Sequence, residues 1–193
     1  MVALSPLPSM YVLDTNVLSE LAHKRPNPTV VDWVASEPAA MSIPFGAVIE
    51  IERGIVNLAS RDISGAYLFS EWLGSLLASD IVFLPMDSDT ARLYGRMTMV
   101  PALRDLWFPS TPPKKLKLGQ DLSIAAVAII TGAPIATMNI KDFLRIDRYF
   151  PLPGLYNPAM SEWCIRPRVP SATHQDVSAR KKDDRTSTAC SSR

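Results

Sequence analysis

Short apolar runs alternate along the chain with longer stretches in which apolar positions recur at helical spacing. Met10 to Leu13, Met41 to Pro44, Ile81 to Leu84 and Pro134 to Thr137 are the short runs, and each reads as a buried strand. Between them, Val17, Leu18 and Leu21 follow Asp14 at helical intervals, with Thr15 or Asn16 as the cap. Asn27-Pro28 opens a helix whose apolar face is Val30, Val31, Trp33 and Val34. From Phe45 the pattern is helical again, with Ala47, Val48, Ile51 and Ile55 inward, Glu50 and Glu52 on the same helix, and Gly54 placed for a close approach. Ile63 to Leu77 and Ser88 to Met99 are further amphipathic helices. The stretch from Asp121 to Ile130 is apolar nearly all round, which predicts a buried helix, and Gly132 ends it. Gly154-Leu-Tyr-Asn-Pro predicts a short edge strand. Strands alternating with helices imply an α/β fold, a mostly parallel sheet with helices on both faces. Right-handed crossovers then gather the carboxyl ends of the strands on one side, where open α/β sheets carry their sites. Asp14 and Asn139 are both sent there.

Three stretches depart from this pattern. Residues 1–9 (M-V-A-L-S-P-L-P-S) lack the cationic start and apolar block of a signal peptide and read as a flexible leader, with Met10 an alternative start. Pro101 to Leu118 reads as a long loop carrying Trp107, Phe108, Lys114, Lys115 and Lys117, a mix that suits single-stranded nucleic acid as well as a solvated insertion. Residues 160–193 turn polar and read as a disordered tail, so the domain is placed at 10–159. Composition changes little in this picture. With 193 residues, 47% hydrophobic and 20% charged, the chain can bury one ordinary core. A net charge of +1 offers no global attraction for nucleic acid, so any such contact is local. Cys164 and Cys190 form neither a metal spacing nor a disulfide framework, and no run is long enough to cross a bilayer, which points to the cytoplasm.

The chemistry is reached by elimination. There is no dinucleotide or P-loop glycine pattern and no G-x-S-x-G elbow. The histidines are two, His23 at a helix end, where a cap or surface role is the commoner one, and His174 in the tail, which weighs against a serine–histidine triad. An aspartyl-phosphate enzyme wants an acid two positions after its nucleophile, where this chain has Asn16. Carboxylates remain: Asp14, Glu50 and Asp121, with Asn139 and Asp142 nearby. Gathered acids repel, and a hard divalent cation such as Mg²⁺ or Mn²⁺ relieves that repulsion while activating water against a phosphodiester.

These residues sit in four segments: L-D-T-N-V-L-S-E-L (Leu13 to Leu21), E-I-E-R-G-I (Glu50 to Ile55), D-L-S-I-A-A-V-A (Asp121 to Ala128) and A-T-M-N-I-K-D-F (Ala136 to Phe143). In kind and order they resemble a PIN-domain ribonuclease, and more narrowly a VapC-type toxin of a type II toxin–antitoxin pair. The resemblance spans roughly Met10 to Pro158. It implies a three-layer α/β/α fold, Mg²⁺- or Mn²⁺-dependent endoribonuclease activity on an RNA such as tRNA or rRNA, and a homodimer. It also implies a small VapB-like antitoxin that lays a peptide across the site and through which alone the toxin reaches DNA. Carried over by position, Asp14, Glu50 and Asp121 are the metal-binding acids, and Asn139 takes a fourth catalytic position that is Asp in some members. Asp142 stands one helical turn later as an assisting acid or a plain helix-start acid. Thr15, Asn16 and Thr137 would support the acids, with capping as the alternative. Leu18, Leu21, Ile51 and Ile55 read as core or as the wall of the antitoxin groove. Two other functions stay open: a weak or idle site within a DNA-binding regulatory complex, and an RNA-processing nuclease without an antitoxin.

Overall fold

The structure is a computed structural model that describes residues 10–37, 39–108 and 119–167. In chain order the elements are β1 (Met10–Leu13), α1 (Thr15–Ala22), α2 (Pro28–Ser36), β2 (Ala40–Pro44), α3 (Phe45–Ala59), α4 (Ile63–Leu77), β3 (Val82–Leu84) and α5 (Ser88–Thr98). A 3-10 helix (Pro101–Leu106), α6 (Asp121–Thr131), β4 (Ile135–Ala136), α7 (Ile140–Asp147), β5 (Leu155–Asn157) and β6 (Glu162–Ile165) follow. The six strands lie in the order β3-β2-β1-β4-β5-β6, all parallel except the last pair. Tyr11, Val12 and Leu13 are all buried, although neighbouring residues of a strand point to opposite faces. Both faces of β1 are therefore covered, as the alternation of strands and helices predicts.

The strand order reverses beside β1. The chain runs outward from β1 through β2 to β3, then returns through α5 and α6 to lay β4 on the other side of β1. Leu13 pairs with Ala136 there, so Asp14 and Thr137, the next residues of each chain, emerge side by side. Helix α6 is buried along Leu122 to Ala128, and Gly132 ends it in the left-handed conformation at φ 68°. Gly46, in the first turn of α3, marks a close approach of α3 to α6: a Cβ at this position would stand 2.0 Å from Ser123 Oγ. Gly54 has open space around it instead, so the close approach expected there lies two turns earlier in the same helix.

Other expectations need correction. Asp14, rather than Thr15 or Asn16, caps α1 by accepting the Thr15 N–H. Pro101 to Leu118 begins with a helical turn, Pro101–Leu106, pinned by Arg145 of α7 through the Ala102 carbonyl and the Asp105 carboxylate. Lys114, Lys115 and Lys117 lie outside the described residues. The sheet does not end at β5, because Glu162–Ile165 pairs antiparallel with it. The anchor is aromatic: Trp163 stacks on Tyr11 at 5.9 Å and tilts against Tyr156 at 5.1 Å, while Trp33 meets Tyr11 edge-on at 5.2 Å. Such ring pairs add about 0.5–1.5 kcal/mol each beyond the area they bury. The strand itself is mostly apolar (Trp163, Cys164 and Ile165), so the polar stretch expected from Met160 onward begins later and the sheet reaches past Met160. Leu18, Ile51 and Ile55 are core, so they form no groove wall. Among the described residues no helix is long and apolar enough to cross a membrane.

Candidate active site

Asp14 is the centre of a polar network at the carboxyl ends of β1 and β4. It is 3% exposed. Its Oδ1 accepts the Thr15 N–H at 2.6 Å, and its Oδ2 accepts the Asn16 amide at 2.6 Å and the Thr137 hydroxyl at 2.5 Å. Thr137 is wholly buried and works as a hub. Its hydroxyl donates to Asp14 and accepts from Asn16 Nδ2 at 3.1 Å and from the Asn139 backbone N–H at 2.8 Å. Asn16 Oδ1 accepts the Met138 N–H at 3.1 Å, so one amide side chain ties the start of α1 to the loop after β4. Every polar atom of this hub has a partner, as burial demands.

The other acids join through neutral side chains. The Thr15 hydroxyl donates to Glu50 Oε2 at 2.8 Å. Glu50 lies on α3, one turn beyond the close approach at Gly46, and its charge reaches Asp14. Asp121 opens α6, whose preceding residue supplies no side-chain cap. The Asn139 amide points to Asp121 Oδ2 at 3.4 Å, a long and weak bond. Asn139 caps α7 by position but makes no capping bond, which leaves its amide for Asp121. Asp142 sits in the first turn of α7, where its charge acts on Arg145. The structure therefore brings together Asp14, Glu50, Asp121 and Asn139 with Thr15, Asn16 and Thr137, and keeps Asp142 out of that network. Gly46, Ser123 and Gln120 were not legible as site residues. They set the packing beneath the acids, and only a tertiary contact gives a glycine that role.

Burial pushes the Asp14 carboxyl up to about 6, with the negative charge of Glu50 adding to the rise and the bonds from Thr137, Thr15 and Asn16 opposing it. A carboxylate held in this way is one that a cation would relieve. The donors are all hard oxygens, the kind Mg²⁺ and Mn²⁺ prefer. Among the described residues, however, no group of three His, Cys, Asp or Glu side chains converges closely enough to enclose a metal. The pairing of Asp14 with Glu50 is electrostatic, and Asp121 is one amide away.

Fold and site together define an α/β protein with an acidic polar centre at the switch point of a mostly parallel sheet. The sequence model of the PIN domain matches residues 11–149, and the chain belongs to that family. No curated protein is significantly similar to it. Among solved structures it is similar to FitAcB from Neisseria gonorrhoeae, with 26% identity, 77% of this chain and 98% of that chain covered, and a TM-score of 0.50. A toxin–antitoxin complex from Klebsiella pneumoniae has a chain of the same fold, with 20% identity, 77% and 97% coverage and a TM-score of 0.50.

Proposed function

We propose that this chain is a metal-dependent endoribonuclease and the toxin of a toxin–antitoxin pair. The observation that carries the reading is the buried Asp14, raised to about 6 beside Glu50 and linked through Thr137 and Asn139 to Asp121. Membership of the PIN family supports a nuclease, and the Klebsiella chain of the same fold belongs to a toxin–antitoxin complex. Asp14, Glu50 and Asp121 are the acids that would hold Mg²⁺ or Mn²⁺, and they would have to draw closer together than they lie here to do so. When bound, the ion supplies an activated water and positive charge for the phosphodiester transition state. The residues themselves do the positioning. Thr137, Asn16 and the Thr15 N–H fix both oxygens of Asp14, Thr15 orients Glu50, and Asn139 orients Asp121. Burial holds a proton on Asp14 up to about pH 6 despite these hydrogen bonds, so metal binding there competes least with protons above that pH.

The test is cleavage of RNA by the purified protein with Mn²⁺, followed in Asp14→Asn, Glu50→Gln and Asp121→Asn. Each substitution should lower the rate by more than about a hundredfold, the upper range for losing even a ligand's hydrogen-bond partner. Wild-type rates in Asp121→Asn would overturn the assignment. One observation favours a second reading, a weak or idle site that acts only within a DNA-binding complex. Asn139 is an amide that spends its hydrogen on Asp121 and adds no charge. Absence of Mn²⁺-dependent cleavage by a folded wild-type protein would select that reading.

A further inference from the structure

A cavity of about 350 Å³ opens where α5 meets the 3-10 helix, lined by Thr98, Met99, Pro101, Arg104, Trp107 and Phe108. Three features of its lining are unusual together. The Arg104 guanidinium lies over the Phe108 ring, 5.6 Å from its centroid, and makes no ion pair among the described residues. Its neighbour Asp105 is already held by Arg145. Trp107 leans against Phe108 at 5.7 Å, and its Nε1–H is buried without an acceptor. Phe108 nevertheless keeps 46% of its surface exposed.

The cavity is also placed beside the acids along the chain. The backbone at Leu106 and Gly119 is in such close contact that a Cβ on Gly119 would fall 2.3 Å from the Leu106 carbonyl oxygen. Trp107 and Phe108 leave this neck, and Gly119-Gln120-Asp121 returns through it. One residue, Gln120, stands between Gly119 and Asp121, so their Cα atoms are at most about 7 Å apart. Arg145 holds the other side of the 3-10 helix to α7, the helix that begins after Asn139.

An arginine plane without a carboxylate partner among the described residues and a half-exposed aromatic ring beneath it are what an unpaired base requires, with the buried Trp107 indole packed against that ring as a reporter. Unstacked bases lie on aromatic and arginine planes and offer acceptor atoms at their edges, and the adjoining phosphate favours a cation. We infer that this cavity receives an unpaired base of single-stranded RNA on the Asp121 flank of the carboxylate site. The inference rests on reading that site as a ribonuclease centre and names how its substrate is gripped.

The experiment uses the full chain in EDTA, so that RNA is bound without being cut. The indole N–H resonance of Trp107 is identified by its loss in Trp107→Phe. A short single-stranded oligoribonucleotide should shift it saturably, and the same sugar–phosphate chain without bases should not. Phe108→Ala should weaken RNA binding by about five- to hundredfold, the range for losing one base–aromatic stack. Phe108→Leu, which keeps most of the volume, should weaken it too while leaving thermal unfolding unchanged. RNA that binds without moving Trp107, or binds Phe108→Ala as tightly as wild type, overturns the inference. So does a Trp107 shift produced only by a peptide. The two readings fail separately. Cleavage with Trp107 unmoved sinks the cavity and leaves the nuclease, whereas a base-dependent shift without Mn²⁺-dependent cleavage does the reverse.

Discussion

Asp14 carries a charge that its surroundings disfavour. Its carboxyl rises from 3.8 to about 6, chiefly through burial and then through Glu50. The folded state thus holds the proton more tightly than the unfolded chain. Stability is greatest below about pH 4, falls as pH rises to about 6 and stays lower above it. At about 1.4 kcal/mol per pH unit, the loss is at most about 3 kcal/mol. In EDTA the thermal midpoint should therefore fall from pH 4.5 to pH 7 once other groups are accounted for by Asp14→Asn, whose profile should be flatter. Equal slopes in both proteins would show that Asp14 is not the titrating group. Asn139 is the other decisive residue. Asn139→Asp places a second carboxylate against Asp121, so the metal-free protein should lose stability while Mn²⁺ binds more tightly. Calorimetric titration measures this, and unchanged affinity would put Asn139 outside the metal's reach.

At the level of elements, the acids depend on how α3 lies on α6. Gly46 permits that contact, and the Ser123 hydroxyl it faces is already committed to the Gln120 carbonyl at 2.7 Å. Gly46→Ala forces the hydroxyl out of this bond or the helices apart. The expected cost is about 1–3 kcal/mol, as for other overpacked interiors. Because Glu50 lies one turn along α3 and Asp121 opens α6, the proposed RNA cleavage should suffer at temperatures where the variant is still folded. Gly54→Ala is the matched control. It lies in the same helix with nothing within 4 Å, so it should gain roughly 0.5–1 kcal/mol from helix propensity alone. Denaturant unfolding of the pair tests the contact directly, and similar effects from both substitutions would refute it.

For the molecule as a whole, the question is what keeps an acidic centre silent. A carboxylate cluster attracts a cation, and an arginine fork can bind two carboxylates at once. If the protein is a toxin, co-expression with a short reading frame directly upstream should yield a co-purifying complex that does not cut RNA. Replacing the partner's blocking arginine by alanine should restore cleavage at least in part. A complex that cuts at the free protein's rate would exclude a blocking partner.

The sequence by itself determined the alternation of strands and helices, because period and run length are local properties of the chain. It also determined which acids to watch. Asp14 follows an apolar strand and Asp121 opens an apolar helix, positions where a carboxylate needs a reason. Helix limits at Asn27-Pro28 and Gly132 were legible for the same local reason. Only the tertiary structure decided the rest. The return of β4 beside β1 made Thr137 the hub of the Asp14 network, a bond across 123 positions that no window of sequence contains. Glu162–Ile165 is a short apolar island before a polar tail, and it joins the sheet with Trp163 against Tyr11 and Tyr156. Gly46 and Gly54 are alike in the chain and opposite in space, one against Ser123 and one open. Local chemistry sets what each segment can be, and long-range packing sets which of its side chains meet.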